Sequence, residues 1–154
     1  MRRALLAAVL CVCASAASAA GDDPTAIAKS VGEKFAKACG SADVKTVLSL
    51  YRDDARVVYP GAGETATDRE TLTKMVTATC TADGPKFELV GYKAIWADAA
   101  HTVVAAYGDW QVVMKGADGK TSTAPVRATE VLAKTKGGWK YVVDHASIGV
   151  PPAP

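Results

Sequence analysis

The chain has 154 residues, 49% of them hydrophobic and 22% charged, which is the make-up of one folded domain. That length excludes two ordinary domains, and that composition excludes a disordered chain. The 18 basic and 16 acidic residues leave too small an excess for binding nucleic acid by bulk attraction.

Met1-Arg2-Arg3 opens the chain with positive charge, Ala4 to Ala14 runs apolar, and Ser15-Ala16-Ala17-Ser18-Ala19-Ala20 is small throughout. This is the three-part plan of a secretory signal peptide, with cleavage after Ala19 or Ala20 and an apolar run too short to anchor in a bilayer. A buried N-terminal helix is the alternative, but Asp22-Asp23-Pro24 breaks the pattern at once. Lipoprotein processing wants a small residue before its cysteine, whereas Leu10 and Val12 precede Cys11 and Cys13. The expectation is an exported bacterial protein, periplasmic or secreted, with no membrane attachment once residues 1–20 are removed.

Cleavage takes away Arg2 and Arg3, so the 18 basic residues fall to 16, equal to the 16 acidic ones. No lysine–arginine cluster is left to meet a phosphate backbone, and nucleic acid is excluded as a partner. Cys11 and Cys13 also go, leaving Cys39 and Cys80. Two cysteines in an exported chain favour a disulfide over a metal site, and no Cys-x-x-Cys spacing supports a redox pair.

Along the chain, Thr25 to Ala38 sets Ile27, Val31, Phe35 and Ala38 at helical spacing, with Lys29, Glu33 and Lys37 turned outward and Gly40 as the stop. Ser41 or Asp43 caps a second short helix through Tyr51, with Val44, Val47 and Leu48 inward. A brief strand, Ala55 to Tyr59, ends at Pro60-Gly61, and Thr67 or Asp68 opens a third helix to about Thr79. After Asp83-Gly84-Pro85 the period changes to that of strands, over 86–96, 102–114, 122–134 and 139–147. Helices first and an antiparallel meander second define an α+β domain over residues 21–148, and residues 149–154, rich in proline, form a flexible tail.

The run from Asp43 through Tyr51-Arg52-Asp53-Asp54-Ala55 to Tyr59-Pro60 resembles the first half of the nuclear transport factor 2-like superfamily. Arg127-Ala128-Thr129-Glu130-Val131 and Gly138-Trp139-Lys140-Tyr141-Val142-Val143-Asp144-His145-Ala146-Ser147 resemble the last hairpin of its SnoaL-like, ketosteroid-isomerase-related members. A similar ending occurs in the association domain of calcium/calmodulin-dependent kinase II. The resemblance implies a cone in which three N-terminal helices pack on a curved antiparallel sheet around a pocket. It leaves function open, because isomerases, cyclases, hydrolases, transport factors and assembly domains share this fold.

In steroid isomerisation on this fold an aspartate moves a proton and a tyrosine steadies the oxyanion. The resemblance sets Tyr59 at the aspartate position and Phe35 at the tyrosine position. A tyrosine of ordinary pKa is a poor base at neutral pH and phenylalanine donates no hydrogen bond, so that isomerase is not expected. The pocket arginines of the kinase association domain fall on Glu130 and Ala146, which implies an acidic, smaller lining.

Asp144 and His145 are neighbours in a strand and point to opposite faces unless a bulge intervenes. Pairing across the hairpin depends on the turn. A two-residue turn at Lys136-Gly137 sets Glu130 with His145 and Arg127 with Asp144. A three-residue turn sets Glu130 with Asp144, and Arg127 and Thr129 with His145 and Ser147. The resemblance favours the second register, in which two acids in a closed cavity would hold raised pKa values.

Candidate catalytic residues are Glu130, Asp144, His145 and Tyr59, and candidate pocket residues are Phe35, Tyr51, Tyr59, Trp110, Glu130, Asp144 and Ala146. The structural alternatives are plain: an acid on the surface, and His145 and Ser147 holding a strand end by hydrogen bonds. No Gly-x-Ser-x-Gly elbow accompanies Ser147, two histidines without an acidic cluster are not a metal site, and no cofactor is expected. Gly61-Ala62-Gly63 does not match a phosphate-binding loop. His101 reads as solvent-exposed, and Trp96, Trp110, Trp139, Tyr107 and Tyr141 mostly as core or interface aromatics, with room for one or two of them in a pocket lining.

Val103 to Ala106, Val112 to Met114 and Tyr141 to Val143 are apolar on both faces, so the face away from the helices needs cover, which a homodimer through the sheet would supply. The preferred expectation is an exported domain that binds a small apolar ligand without a complete catalytic set. The alternative is an acid–base isomerase, cyclase or hydrolase acting on such a molecule. The two part on whether the candidate side chains converge in one enclosed pocket. A purely structural dimer would fill that pocket with its own side chains.

Overall fold

The computed structural model describes residues 23–60, 65–116 and 118–149, and the segment expected to be a signal peptide, Gly61-Ala62-Gly63 and most of the expected tail lie outside them. Helix α1 (Pro24–Gly40) starts where Asp23 accepts a hydrogen bond from the Thr25 N–H, with Pro24 in the first turn, where no donor is needed. Its apolar stripe, including Ile27, Val31, Phe35, Ala38 and Cys39, is buried. Helices α2 (Val44–Ser49) and α3 (Arg69–Thr79) are capped in the same way, by Asp43 on the Thr46 N–H and Asp68 on the Thr71 N–H.

The strands are β1 (Tyr51–Val58), β2 (Thr65–Ala66), β3 (Lys86–Trp96), β4 (Val103–Lys115), β5 (Thr121–Thr135) and β6 (Gly138–Ile148). They form one curved sheet in the order β2-β1-β6-β5-β4-β3. Two expectations need correction. The second helix stops at Ser49 and strand begins at Tyr51, because the Tyr141 N–H takes the Leu50 carbonyl at 2.8 Å and draws Tyr51 in beside Tyr141. The sheet is also not wholly antiparallel: β1 joins β6 in parallel, as a strand from the start of a chain must when it lies along the last strand in the same direction. The two-residue strand β2 carries no periodicity from which to foresee it.

Helix α1 packs on the concave face, against β3, β4 and β6. Close approach there requires glycine twice. A Cβ on Gly32 would lie 2.8 Å from the Tyr92 ring, and one on Gly108 would lie 2.7 Å from the Trp110 nitrogen. The expected disulfide is present: Cys39 at the end of α1 is bonded to Cys80 just past α3, 41 residues apart, with both side chains buried. Closing a loop of that length stabilises the fold by roughly 4 kcal/mol in the chain-entropy model. Among the described residues no helix is long and apolar enough to cross a membrane.

Two single-residue bulges decide which side chains face α1. In β3 the register with β4 shifts between Leu89 and Gly91, leaving Val90 unopposed and 66% exposed and turning Tyr92 inward. In β6 the register with β5 shifts between Tyr141 and Val143, leaving Val142 as the extra residue. Tyr141 and Asp144 are therefore both buried although an odd number of positions separates them.

Candidate acid-pair cavity

Between α1 and the sheet lies a cavity of about 340 Å³. Phe35 of α1 stands at its centre, edge-on to Tyr59, Phe87 and Trp110 at ring-centroid distances of 6.3, 5.3 and 6.3 Å. Val112, Val126, Ala128 and Ala146 extend the apolar wall, and Thr79, Pro60, Pro85 and Met114 border it.

Two carboxyl groups interrupt this surface. Glu130 on β5 and Asp144 on β6 are direct cross-strand partners, 2% and 7% exposed, and both line the cavity. Partners of that kind stand roughly 5 Å apart at Cβ, close enough for one charge to act strongly on the other. The hairpin turn is the two-residue one, since Thr135 pairs with Gly138, and that alone would set Glu130 opposite Val143, on the face shared by His145. The bulge at Val142 reverses the outcome: Glu130 faces Asp144, Thr129 faces His145 and Arg127 faces Ser147. The pairing expected of the three-residue turn is thus reached by a different device.

Each acid has its own tyrosine. The Tyr92 hydroxyl donates to Glu130, 2.6 Å from both carboxylate oxygens. The Tyr51 hydroxyl donates to Asp144 Oδ2 at 2.7 Å and lies 3.2 Å from the Tyr59 hydroxyl. Burial, and next the charge of Asp144, push the Glu130 carboxyl up to about 8, against the Tyr92 hydrogen bond. Burial likewise pushes Asp144 up to about 6, against the hydrogen bond from Tyr51. Two such acids titrate as a unit, and at neutral pH the unit holds one proton. Burial and the Asp144 charge hold the Tyr59 hydroxyl far above the ordinary tyrosine range, so it serves as a donor and not as a base.

Of the residues singled out from sequence, Phe35, Tyr59, Trp110, Glu130, Asp144 and Ala146 line the cavity. Tyr51 stands behind the wall, 1% exposed, and reaches the cavity through Asp144 and Tyr59. His145 is exposed on the opposite face of β6 and does not join the acids. Ser147 is exposed as well. His101 is exposed, with its ring stacked on Trp96 at 4.5 Å, and Trp139 stands on the other side of that tryptophan, away from the cavity lining. Sequence reasoning missed Tyr92 as the partner of Glu130, because unbroken alternation from Phe87 and Leu89 points Tyr92 outward. It also missed Val126 and Ala128, which share the face of Glu130 by simple alternation and were there to be found.

Comparison with known proteins agrees with this architecture. Residues 28–151 match the model of the SnoaL-like domain. A candidate calcium/calmodulin-dependent protein kinase II association domain from Xanthomonas campestris is similar at 19% identity and TM-score 0.72, over 83% of this chain and 89% of that one. A candidate dehydratase of the nuclear transport factor 2-like family from Streptomyces avermitilis is similar at 18% identity and TM-score 0.69, over 81% and 95% of the two chains. A ketosteroid isomerase-like protein from Erwinia carotovora atroseptica is similar at 16% identity and TM-score 0.67, over 84% and 99%. No curated protein matches. At such identities the solved structures establish the fold alone, while the family match spans the helices and the sheet that build the cavity: the chain belongs to the SnoaL-like domain family and has the nuclear transport factor 2-like fold.

Proposed function

We propose that this chain is an exported domain that binds a small, largely apolar molecule in the cone cavity. The observation that carries the reading is the cavity itself: about 340 Å³ that its own side chains leave unfilled, aromatic and aliphatic but for one pair of facing acids. Cavities of this size and make-up suit small ligands, with the few polar groups fixing orientation. Export is supported by the three-part N-terminal pattern and by the Cys39–Cys80 disulfide. A homodimer through the outer sheet face is part of the same reading, supported by the exposed Ile95 and Tyr107 there.

A second reading, acid–base catalysis on the bound molecule, is favoured by the convergence of Glu130, Asp144 and Tyr59 on one cavity. One shared proton near neutral pH is what general acid–base work requires. The test is a thermal-shift screen of the mature chain with steroid-like, polyketide-like and fatty compounds. Ligand at a hundred times its Kd adds about 2.7 kcal/mol to stability. A shift that Ala146→Phe abolishes supports binding in the cavity. A Glu130→Gln variant that binds the same compound but no longer converts it supports catalysis. Absence of any shift across the panel returns the chain to a structural role.

A further inference from the structure

We infer that the ligand of this cavity is an amine, a single positive charge on an aromatic or alicyclic body, received between Glu130 and Asp144. The inference rests on the reading of the cavity as a ligand site and adds the chemistry of what enters it.

The charge balance comes first. Among the described residues that line the cavity, the ionisable side chains are Glu130, Asp144, Tyr59 and Tyr141, with no lysine, arginine or histidine. The titratable groups that act on the pair from the core are tyrosines, Tyr51 from β1, Tyr59 just past it, Tyr92 from β3 and Tyr141 from β6, and the one base among its neighbours, His145, favours the charged form of Asp144 from the far face of β6. Their hydroxyls are held in the neutral form by burial and by the acids. Helices α1 and α3 contribute only Phe35 and Thr79 to the lining, and His145 points to the other side of β6. An empty cavity with one proton on the pair therefore carries a negative charge that no cation in the cavity lining offsets, and the nearest base, His145, is exposed on the other side of β6. A bound anion would add to it, and a neutral apolar body would leave it buried at its full cost.

Hydrogen bonding points the same way. Tyr51 donates to Asp144 Oδ2 and the single Tyr92 proton is shared between the two Glu130 oxygens, while Asp144 Oδ1 receives no hydrogen bond among the described residues. That oxygen belongs to a side chain 7% exposed in the wall of the cavity. No other side chain donates to it, and Glu130 opposite becomes a second acceptor once the pair gives up its one proton. An ammonium group supplies two or three donors at one point and bridges both; a carbonyl or ether supplies none. The rings of Phe35, Tyr59, Phe87 and Trp110 complete the enclosure, and an aromatic surround favours a cation over an anion. A volume near the lower end of small-molecule sites suits a body of one or two rings.

Three probes with the same ring system separate the possibilities: 1-naphthylmethylamine, 1-naphthalenemethanol and 1-naphthoate, titrated calorimetrically against the mature, disulfide-bonded chain. The expected result is an amine at least about tenfold tighter than the alcohol at pH 8, with no detectable naphthoate binding. The preference should shrink as pH falls below 6 and the pair takes up its second proton. In Glu130→Gln the amine-to-alcohol ratio should fall below about threefold. If that variant does not fold, Asp144→Asn and the wild-type pH profile test the same point. An alcohol that binds as tightly as the amine at pH 8 overturns the inference and leaves the cavity reading in place. Naphthoate as the tightest ligand overturns it too. Failure of all three probes to bind overturns both.

Discussion

Strands β5 and β6 face each other across one hairpin and deliver one acid each, but by different means. On β5, Val126, Ala128, Glu130 and Leu132 are buried in strict alternation, and Glu130 points inward because every second residue does. On β6, Tyr141 and Asp144 are both buried across an odd interval, and only the extra residue at Val142 makes that possible. The same contrast recurs at the sheet edge, where β4 alternates without a break from Val104 to Val112 while β3 needs Val90 to bring Tyr92 around to Glu130. Regular strands supply the apolar wall and one acid. Bulged strands supply the second acid and the tyrosine that holds the first. Asp144 and Tyr92 are thus the parts of the polar site that a two-residue period cannot produce.

The largest expected effect follows directly. Strand β6 has a spare residue and β5 has none. Deleting Val142 should leave Tyr141 and Asp144 inward on a straighter strand, at a cost below about 2 kcal/mol in urea unfolding, within the ordinary range for a tolerated change. Deleting Val131 from β5 should turn Thr129 and Arg127 toward the core in place of Glu130 and Ala128. Burying an uncompensated arginine costs about 3–5 kcal/mol or more, enough to prevent folding of a marginally stable domain. Equal tolerance of the two deletions would end the distinction between the strands.

The same distinction explains what could be read from sequence. The four long strands and all three helices are legible within a residue or two, because period, caps and turn residues are local signals: Asp43 and Asp68 do cap their helices, and Lys86–Trp96 is a strand end to end. The Cys39–Cys80 bond was legible from count and compartment. The parallel seat of β1 was not, since it depends on Tyr51 finding Tyr141 across most of the chain. Nor was the facing of Asp144 and His145 settled by the residues. Turn length alone puts His145 and not Asp144 on the face of Glu130, and no residue in Tyr141-Val142-Val143 marks the extra position. Resemblance to the kinase association domain did favour the observed pairing, without revealing how it arises.

A smaller effect is expected where α1 meets β3. Gly32→Ala would drive a methyl group to within 2.8 Å of the Tyr92 ring, which also carries the hydroxyl bonded to Glu130. Overpacking of this kind costs about 1–3 kcal/mol. Gly91→Ala, on the bulge itself, meets nothing within 4 Å and should be neutral. Thermal denaturation of the pair separates a steric role for Gly32 from a general sensitivity of the region; equal losses would refute the steric account.

The tyrosines allow a finer comparison of the two acids. Tyr51→Phe removes the donor to Asp144 and the contact with Tyr59 together, in a site 1% exposed. The expected loss is about 2 kcal/mol, with the Asp144 carboxyl titrating higher than in the parent chain when followed by carbon-13 NMR. An unchanged carboxyl titration would mean that Tyr51 does not hold the charged form of Asp144.

The smallest effect per step is the pH dependence of stability, and its sign is fixed by burial. Glu130 and Asp144 are both raised in the folded chain, to about 8 and about 6, above the 4.5 and 3.8 of unpaired groups. Between those limits the unfolded chain binds fewer protons at these two groups than the folded one, so their contribution to stability is fully present below about pH 4 and falls as pH rises toward 8. One proton gives a slope of at most about 1.4 kcal/mol per pH unit. In Glu130→Gln the slope above pH 7 should nearly vanish, because the acid raised to about 8 is gone and Asp144, raised by burial to about 6, has already released its proton. Urea midpoints measured from pH 5 to 9 on both proteins test this. A parent chain whose stability rises over that interval would mean that the two carboxyls are not buried against each other, and the polar half of the cavity would have to be redrawn.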